Sequence, residues 1–230
     1  MVKVVVFGST GQSGSRIIIE LLSRGHTVVA VARDPKKVPS SDTGRLTVVQ
    51  GDVVKDDLVP FITGADVIVN AYGINSFISF IYLRVIKYDS LYLAPPFDKV
   101  NELITVTEKL IAAVGTTGGR LISVGGAGGL KAGDTLVIDA PWFPAAWKPI
   151  AQAHIDALEL LRKSTINWTT LTPPGEFAPG VRTGKFRLDE ENLVATPEGK
   201  SSISSEDYAI ALVDEIENPK YLKKRFTVGY

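Results

Sequence analysis

The sequence predicts an α/β chain built on a doubly wound parallel sheet, and three observations carry that expectation. Short apolar runs rich in valine and isoleucine recur along the chain, helix-length amphipathic stretches separate them, and a glycine-rich turn joins the first run to the first helix. Runs without polar alternation are strands buried on both faces, as parallel sheets covered by helices require. The expected strands are residues 2–7, 27–32, 46–50, 67–70, 120–124 and 168–172, and the expected helices 13–24, 56–63, 100–114 and 149–163. Right-handed crossovers then favour the strand order 3-2-1-4-5-6 of a Rossmann-type sheet.

The last part of the chain changes rhythm. Residues 173–187 are rich in Gly and Pro, and short strand-like pieces follow at 186–188 and 193–195. A helix is expected from Ser205, with Ser205-Glu206-Asp207 as N-cap and acidic first turn and Asn218-Pro219 as its stop. Residues 225–229 read as a last strand. Without a linker or an internal repeat, residues 1–230 are expected to form one domain, with 173–230 as a small C-terminal cap.

Composition removes several classes of function. Lys+Arg and Asp+Glu number 25 each, so the chain lacks the basic excess that nucleic acid or an anionic membrane calls for. There is no cysteine and there are only two histidines, which rules out disulfides, a cysteine nucleophile and a thiolate metal site, and argues against zinc. The N-terminal apolar run stops at Gly8 without a cleavage pattern, and the lipophilic stretch 77–97 is interrupted by Arg84, Lys87, Asp89 and Pro95-Pro96. Neither reads as a signal or a membrane span, so a cytoplasmic protein is expected.

The sharpest motif is Gly8-Ser9-Thr10-Gly11-Gln12-Ser13-Gly14, a GxxGxxG between the first strand and the first helix. That context is what a dinucleotide fingerprint requires: Gly8 for the turn, Gly11 for close approach of a pyrophosphate, and Gly14 for helix–strand packing. The second strand runs into Arg33-Asp34-Pro35. An arginine there suits a 2′-phosphate and favours NADP(H) over NAD(H); the competing arrangement puts Asp34 on the ribose hydroxyls and Arg33 in solvent. Asp52 and Val53, after the third strand, are candidates for the adenine end. Ala71, Tyr72 and Gly73, after the fourth, are candidates for the nicotinamide ribose. No metal ligand set is expected.

With these residues in place the chain resembles the short-chain dehydrogenase/reductase superfamily, and within it the atypical branch of NAD(P)H-dependent flavin reductases and biliverdin-IXβ reductases. The phosphate loop and Val31-Ala32-Arg33-Asp34-Pro35 carry the resemblance at the start, then Ser123-Val124-Gly125-Gly126-Ala127-Gly128 and Ala153-His154. It continues through Thr172-Pro173-Pro174, Arg182-Thr183-Gly184-Lys185-Phe186 and Arg225-Phe226-Thr227-Val228-Gly229-Tyr230. The resemblance implies that Ser123, Val124, Gly125 and Pro173 line the cofactor and that His154 and Ser123 are the candidate catalytic residues. It also implies hydride transfer from the nicotinamide to flavin, taken as substrate, or to a similar planar acceptor.

Two departures shape that expectation. None of the seven tyrosines has Lys four residues later, so the superfamily's Tyr-x-x-x-Lys pair is missing. Residues 74–99, with Phe77, Phe80, Tyr82, Tyr88, Tyr92 and Phe97, look longer and more aromatic than in the relatives, reading either as a lid that stacks on a flavin or as a packed cover. Two other functions stay open: an NADP(H) redox sensor without catalysis, and a quinone or carbonyl reductase with His154 or water as proton donor. The physiological acceptor and the oligomeric state are not legible.

Overall fold

The structure, a computed structural model, describes residues 1–73 and 99–230, so the aromatic stretch beginning at Phe77 lies outside the described residues. In chain order the elements are β1 (Lys3–Phe7), α1 (Gln12–Ser23), β2 (Thr27–Ala32), β3 (Leu46–Gln50), α2 (Val59–Ile62), β4 (Val67–Asn70) and α3 (Val100–Thr117). Then come β5 (Arg120–Val124), β6 (Lys131–Ala132), β7 (Thr135–Leu136), α4 (Lys148–Lys163), β8 (Asn167–Thr172) and β9 (Glu176–Ala178). The remainder is β10 (Arg187–Asp189), β11 (Ser202–Ser204), α5 (Ser205–Glu217) and β12 (Lys224–Gly229).

Eight strands form one sheet in the order β3-β2-β1-β4-β5-β8-β12-β10. The first six reproduce the expected 3-2-1-4-5-6, all parallel. The C-terminal part does more than cover this sheet: β12 pairs parallel with β8, and β10 closes that edge antiparallel to β12. One face carries α1 and α5 over a core that includes Ile17, Ile18, Leu21, Tyr208 and Leu212. The other carries α2, α3 and α4 over Val106, Leu110, Leu158, Leu161 and Trp168. Both faces are apolar because both are covered, which is why the strands read as unbroken apolar runs.

Four expectations are corrected. β3 is not buried on both faces; it is the sheet edge, with Val48 38% exposed. The helix expected over 56–63 shrinks to Val59–Ile62. Asp56 takes the amide of Asp52 and Asp57 that of Val59, local bonds that compete with helix, and Pro60 fits only a first turn. Residues 193–195 form no strand, and the nearest pairing is a single bridge between Lys131 and Asn192. The cap of α5 is Ser204, whose hydroxyl accepts from the Asp207 amide, one residue before the position expected.

Candidate functional site

The glycine loop between β1 and α1 owes its shape to missing side chains. Gly8 has φ +73°, and a Cβ on it would lie 2.3 Å from the Ala71 carbonyl oxygen, which brings the ends of β1 and β4 together. A Cβ on Gly14 would lie 2.2 Å from the Gly8 carbonyl oxygen, so α1 starts pressed against the turn. Gly11 is the helix N-cap, and no side chain caps it. The first amides of α1 are therefore left to an external acceptor, the arrangement a pyrophosphate needs.

The other loop residues divide by what they touch. Thr10 is exposed and Ser13 half-buried at the mouth of the turn. Ser9 is buried, its hydroxyl donating to the Val31 carbonyl at 2.7 Å and tying the loop to β2. Gln12 turns away, its amide donating to the Phe177 carbonyl at 3.0 Å and to the Ser205 hydroxyl at 2.9 Å. This clamp between the phosphate turn, β9 and α5 joins residues 165 and 193 positions apart, and no local signal in the sequence announces it.

At the end of β2 the two alternatives part. Asp34 caps a one-turn 3₁₀ segment, accepting from the Lys36 amide at 3.2 Å, with Lys37 at 3.7 Å. Arg33 is exposed beside it, and no described carboxylate forms an ion pair with it. Asp52 accepts from the Val54 amide at 3.0 Å, which folds the turn expected at the adenine end, and Val53 is buried. Lys109 of α3 braces the same turn, donating to the carbonyls of Val54 and Asp56. At the end of β4, Asn70 accepts from the Tyr72 amide, and the Tyr72 hydroxyl donates to Glu102 of α3. Burial, reinforced by that carboxylate, pushes the Tyr72 pKa far up, so Tyr72 stays protonated. Ala71 and Gly73 flank it on the same turn. Glu102 and Lys109 are the site residues that sequence reasoning missed.

Across β4, β5, β8 and β12 the register aligns Asn70, Ser123, Thr170 and Arg225 in one lateral row. In-register residues project to the same face, here the one under α3 and α4. Ser123 and Thr170 are buried, and neither hydroxyl has a hydrogen-bond partner among the described residues. His154 of α4 stands over the row, lining a small cavity with Asn70, Tyr72, Ser123 and Thr170. Burial holds its pKa down at about 4, so the imidazole is neutral near pH 7. Sequence reasoning thus brought Ser123, His154 and Tyr72 to one place. Val124 and Gly125 follow at the end of β5, and Pro173 is buried directly after β8.

The model of a family described as NAD(P)H-binding matches residues 8–219 of this sequence, from the first loop glycine into the turn after α5. The chain belongs to this NAD(P)H-binding family. It is 32% identical to the Bacillus subtilis protein YwnB, covering 98% of this chain and 97% of that protein. Among solved structures it is similar to a candidate NADH-flavin reductase from Streptococcus pneumoniae, at 30% identity, TM-score 0.82, and coverage of 100% of this chain and 99% of the other. It is also similar to a candidate epimerase from Bacteroides thetaiotaomicron, at 33% identity, TM-score 0.83, and coverage of 100% and 98%. A candidate exported protein from Burkholderia pseudomallei matches at 32% identity, TM-score 0.81, and full coverage of both chains. Among the described residues no helix is long and apolar enough to cross a membrane, and no cluster of acids and histidines is placed to hold a metal ion.

Membership of an NAD(P)H-binding family calls for a nicotinamide cofactor, and the glycine run after β5 has a structural use of its own. A Cβ on Gly126 would lie 2.8 Å from the His154 ring, one on Gly128 2.6 Å from Ala151, and one on Gly129 3.1 Å from the Arg225 guanidinium. The run is the groove that receives α4 and Arg225. Its glycines are spaced for protein neighbours as much as for a cofactor.

Proposed function

We propose that the chain is an NADPH-dependent reductase that passes hydride to flavin or to a similar planar conjugated acceptor held as a substrate. The observation that carries the cofactor preference is the pair at the end of β2: Arg33 exposed without a described acidic partner, Asp34 turned into its own cap. A guanidinium in that position gives a 2′-phosphate a charge-assisted partner, while one oxygen of Asp34 is taken by the cap of its own turn.

In this reading the uncapped start of α1, which Gly8 and Gly14 let press against the turn, receives the pyrophosphate. The Asp52 turn, with Val53 beneath it, borders the adenine. Ala71, Tyr72, Gly73, Ser123, Val124, Gly125 and Pro173 border the nicotinamide end. When bound, the reduced nicotinamide supplies the hydride. The chain's own part is positioning and exclusion of water. Tyr72 is locked onto Glu102 and held protonated, and His154 is neutral, so neither is poised to ionise as a proton donor near pH 7. Flavin reduction by direct hydride transfer asks for no such donor, which is why the missing Tyr-x-x-x-Lys pair fits a flavin-type acceptor better than a carbonyl one.

The test is anaerobic oxidation of NADPH and, separately, NADH by the purified chain supplied with FMN, FAD or riboflavin. Turnover that favours NADPH, with the preference lost in Arg33→Ala by about tenfold or more, is the expected result. Tight NADPH binding without turnover on any flavin overturns the reductase reading and leaves a redox sensor.

A further inference from the structure

Helix α3 touches two of the loops at the C-terminal edge of the sheet. Glu102, in its first turn, accepts from the Tyr72 hydroxyl on the turn after β4. Lys109, further along the same helix, donates from Nζ to the carbonyl oxygens of Val54 at 2.8 Å and Asp56 at 2.7 Å, on the turn after β3. Seven positions separate the two residues, close to two full turns, so they share a face about 10 Å apart along the axis. Val106 lies between them, fully buried in the core under α3, and pins that face to the sheet.

These two contacts differ in reach from the other bonds of their turns. Among the described residues, the remaining hydrogen bonds of residues 52–56 close within the turn. Asp56 takes the Asp52 amide, Asp52 takes the Val54 amide, and the Asp52 carbonyl takes the amides of Lys55 and Asp56. Such bonds fix the shape of a turn but not where it stands. Its polar anchor is Lys109, 55 and 53 positions away. The Tyr72 turn repeats the pattern: its amide is held locally by Asn70, while the hydroxyl reaches Glu102, 30 positions away.

We propose that α3 sets the span of the cofactor cleft, with Lys109 the positioning residue for the adenine end and Glu102, through Tyr72, the positioning residue for the nicotinamide end. This role rests on the cofactor reading above and not on which acceptor takes the hydride. Neither residue touches the cofactor; each acts through the turn it holds.

The experiment is a calorimetric titration of the full chain with NADPH and with adenosine 2′,5′-bisphosphate, which carries the adenine end alone. Lys109→Met keeps the apolar stem and loses the donors. It should weaken both ligands alike, by about tenfold, and Lys109→Arg should recover most of that loss. Glu102→Ala should weaken NADPH by about tenfold and leave the bisphosphate unchanged, whereas Glu102→Gln, which keeps an acceptor for Tyr72, stays near the wild type. Urea unfolding of the same variants identifies a brace that serves stability alone: the midpoint falls while both affinities of the folded protein hold. That result, a bisphosphate that does not bind where NADPH does, or a bisphosphate weakened by Glu102→Ala overturns the proposal and leaves the cofactor reading standing. A wild type that binds neither ligand overturns the cofactor reading, and this role with it.

Discussion

Gly14 stands so close to Gly8 that a methyl group on it would lie 2.2 Å from the Gly8 carbonyl oxygen. The obstacle is backbone, which cannot swing aside as a side chain does. Gly14→Ala must therefore push α1 away from the turn, as overpacking does elsewhere, at about 1–3 kcal/mol of stability. The displacement falls on the amides proposed to receive the pyrophosphate, so NADPH affinity should drop by more than tenfold even in the folded fraction. Urea unfolding and a fluorescence titration of NADPH check the two effects separately. Unchanged affinity would mean that the cofactor does not use the start of α1.

Arg120 and Glu215 form an ion pair buried beneath α5 on the side of the sheet away from His154, with Arg120 also donating to the Glu215 carbonyl and to Thr169. Removing one partner strands a buried charge, which typically costs about 3–5 kcal/mol. Arg120→Met should accordingly shift the urea midpoint strongly downward at constant slope, while NADPH affinity of the folded protein is retained. A small shift would mean that water reaches Glu215.

The α/β class, the strand order and the phosphate loop were legible because each rests on neighbours in sequence. Burial on both faces gives unbroken valine runs, and GxxGxxG is local by construction. What was not legible depends on distance along the chain. The run 46–50 reads as a buried strand, yet nothing local says that it ends the sheet, with no described strand beyond it. Nothing local says what Gly126 and Gly129 are for, because the His154 ring and the Arg225 guanidinium that need their room arrive from 28 and 96 residues away. Gln12 looked like a loop residue aimed at phosphate, whereas its amide is committed to Phe177 and Ser205.

His154 gives a pH signature of its own. Its folded pKa of about 4 lies below the ordinary 6.5, so the unfolded chain binds the proton first and stability falls as pH drops through that window. The loss is roughly 1.4 kcal/mol per pH unit and about 3 kcal/mol in total. Carboxylates act lower down. Desolvation opposes their ionisation, most at the buried Glu20 and Asp207, yet these two and Glu217 are held below the carboxylate range by hydrogen bonds led by those from Arg182, Thr183 and Arg24. That stability is lost as pH falls through their own pKa values. Urea midpoints at pH 7 and pH 5 should therefore differ in the wild type and nearly coincide in His154→Gln. A persistent difference in the variant would assign the effect to other groups.

Tyr230 closes the clamp that begins at Gln12. Its hydroxyl lies 2.8 Å from Asp207 and 2.9 Å from the Ser204 hydroxyl, the cap of the helix whose Ser205 holds Gln12. Asp207 is fully buried and also accepts from the amides of Thr183 and Gly184 and from the Thr183 hydroxyl. Tyr230→Phe removes one donor from a buried carboxylate, a loss of about 1.5–3 kcal/mol at neutral pH, moderated because three donors remain. The sign with pH follows from the direction of the shift: burial raises the Asp207 pKa, the hydrogen bonds lower it by more, and the variant gives part of that lowering back. Its penalty should be full at pH 7 and shrink below pH about 4, where the unfolded chain's Asp is already protonated. Unfolding free energies of both proteins at pH 7 and pH 3 measure it. An equal penalty at both values would mean that Tyr230 acts through packing of its ring rather than through the carboxylate.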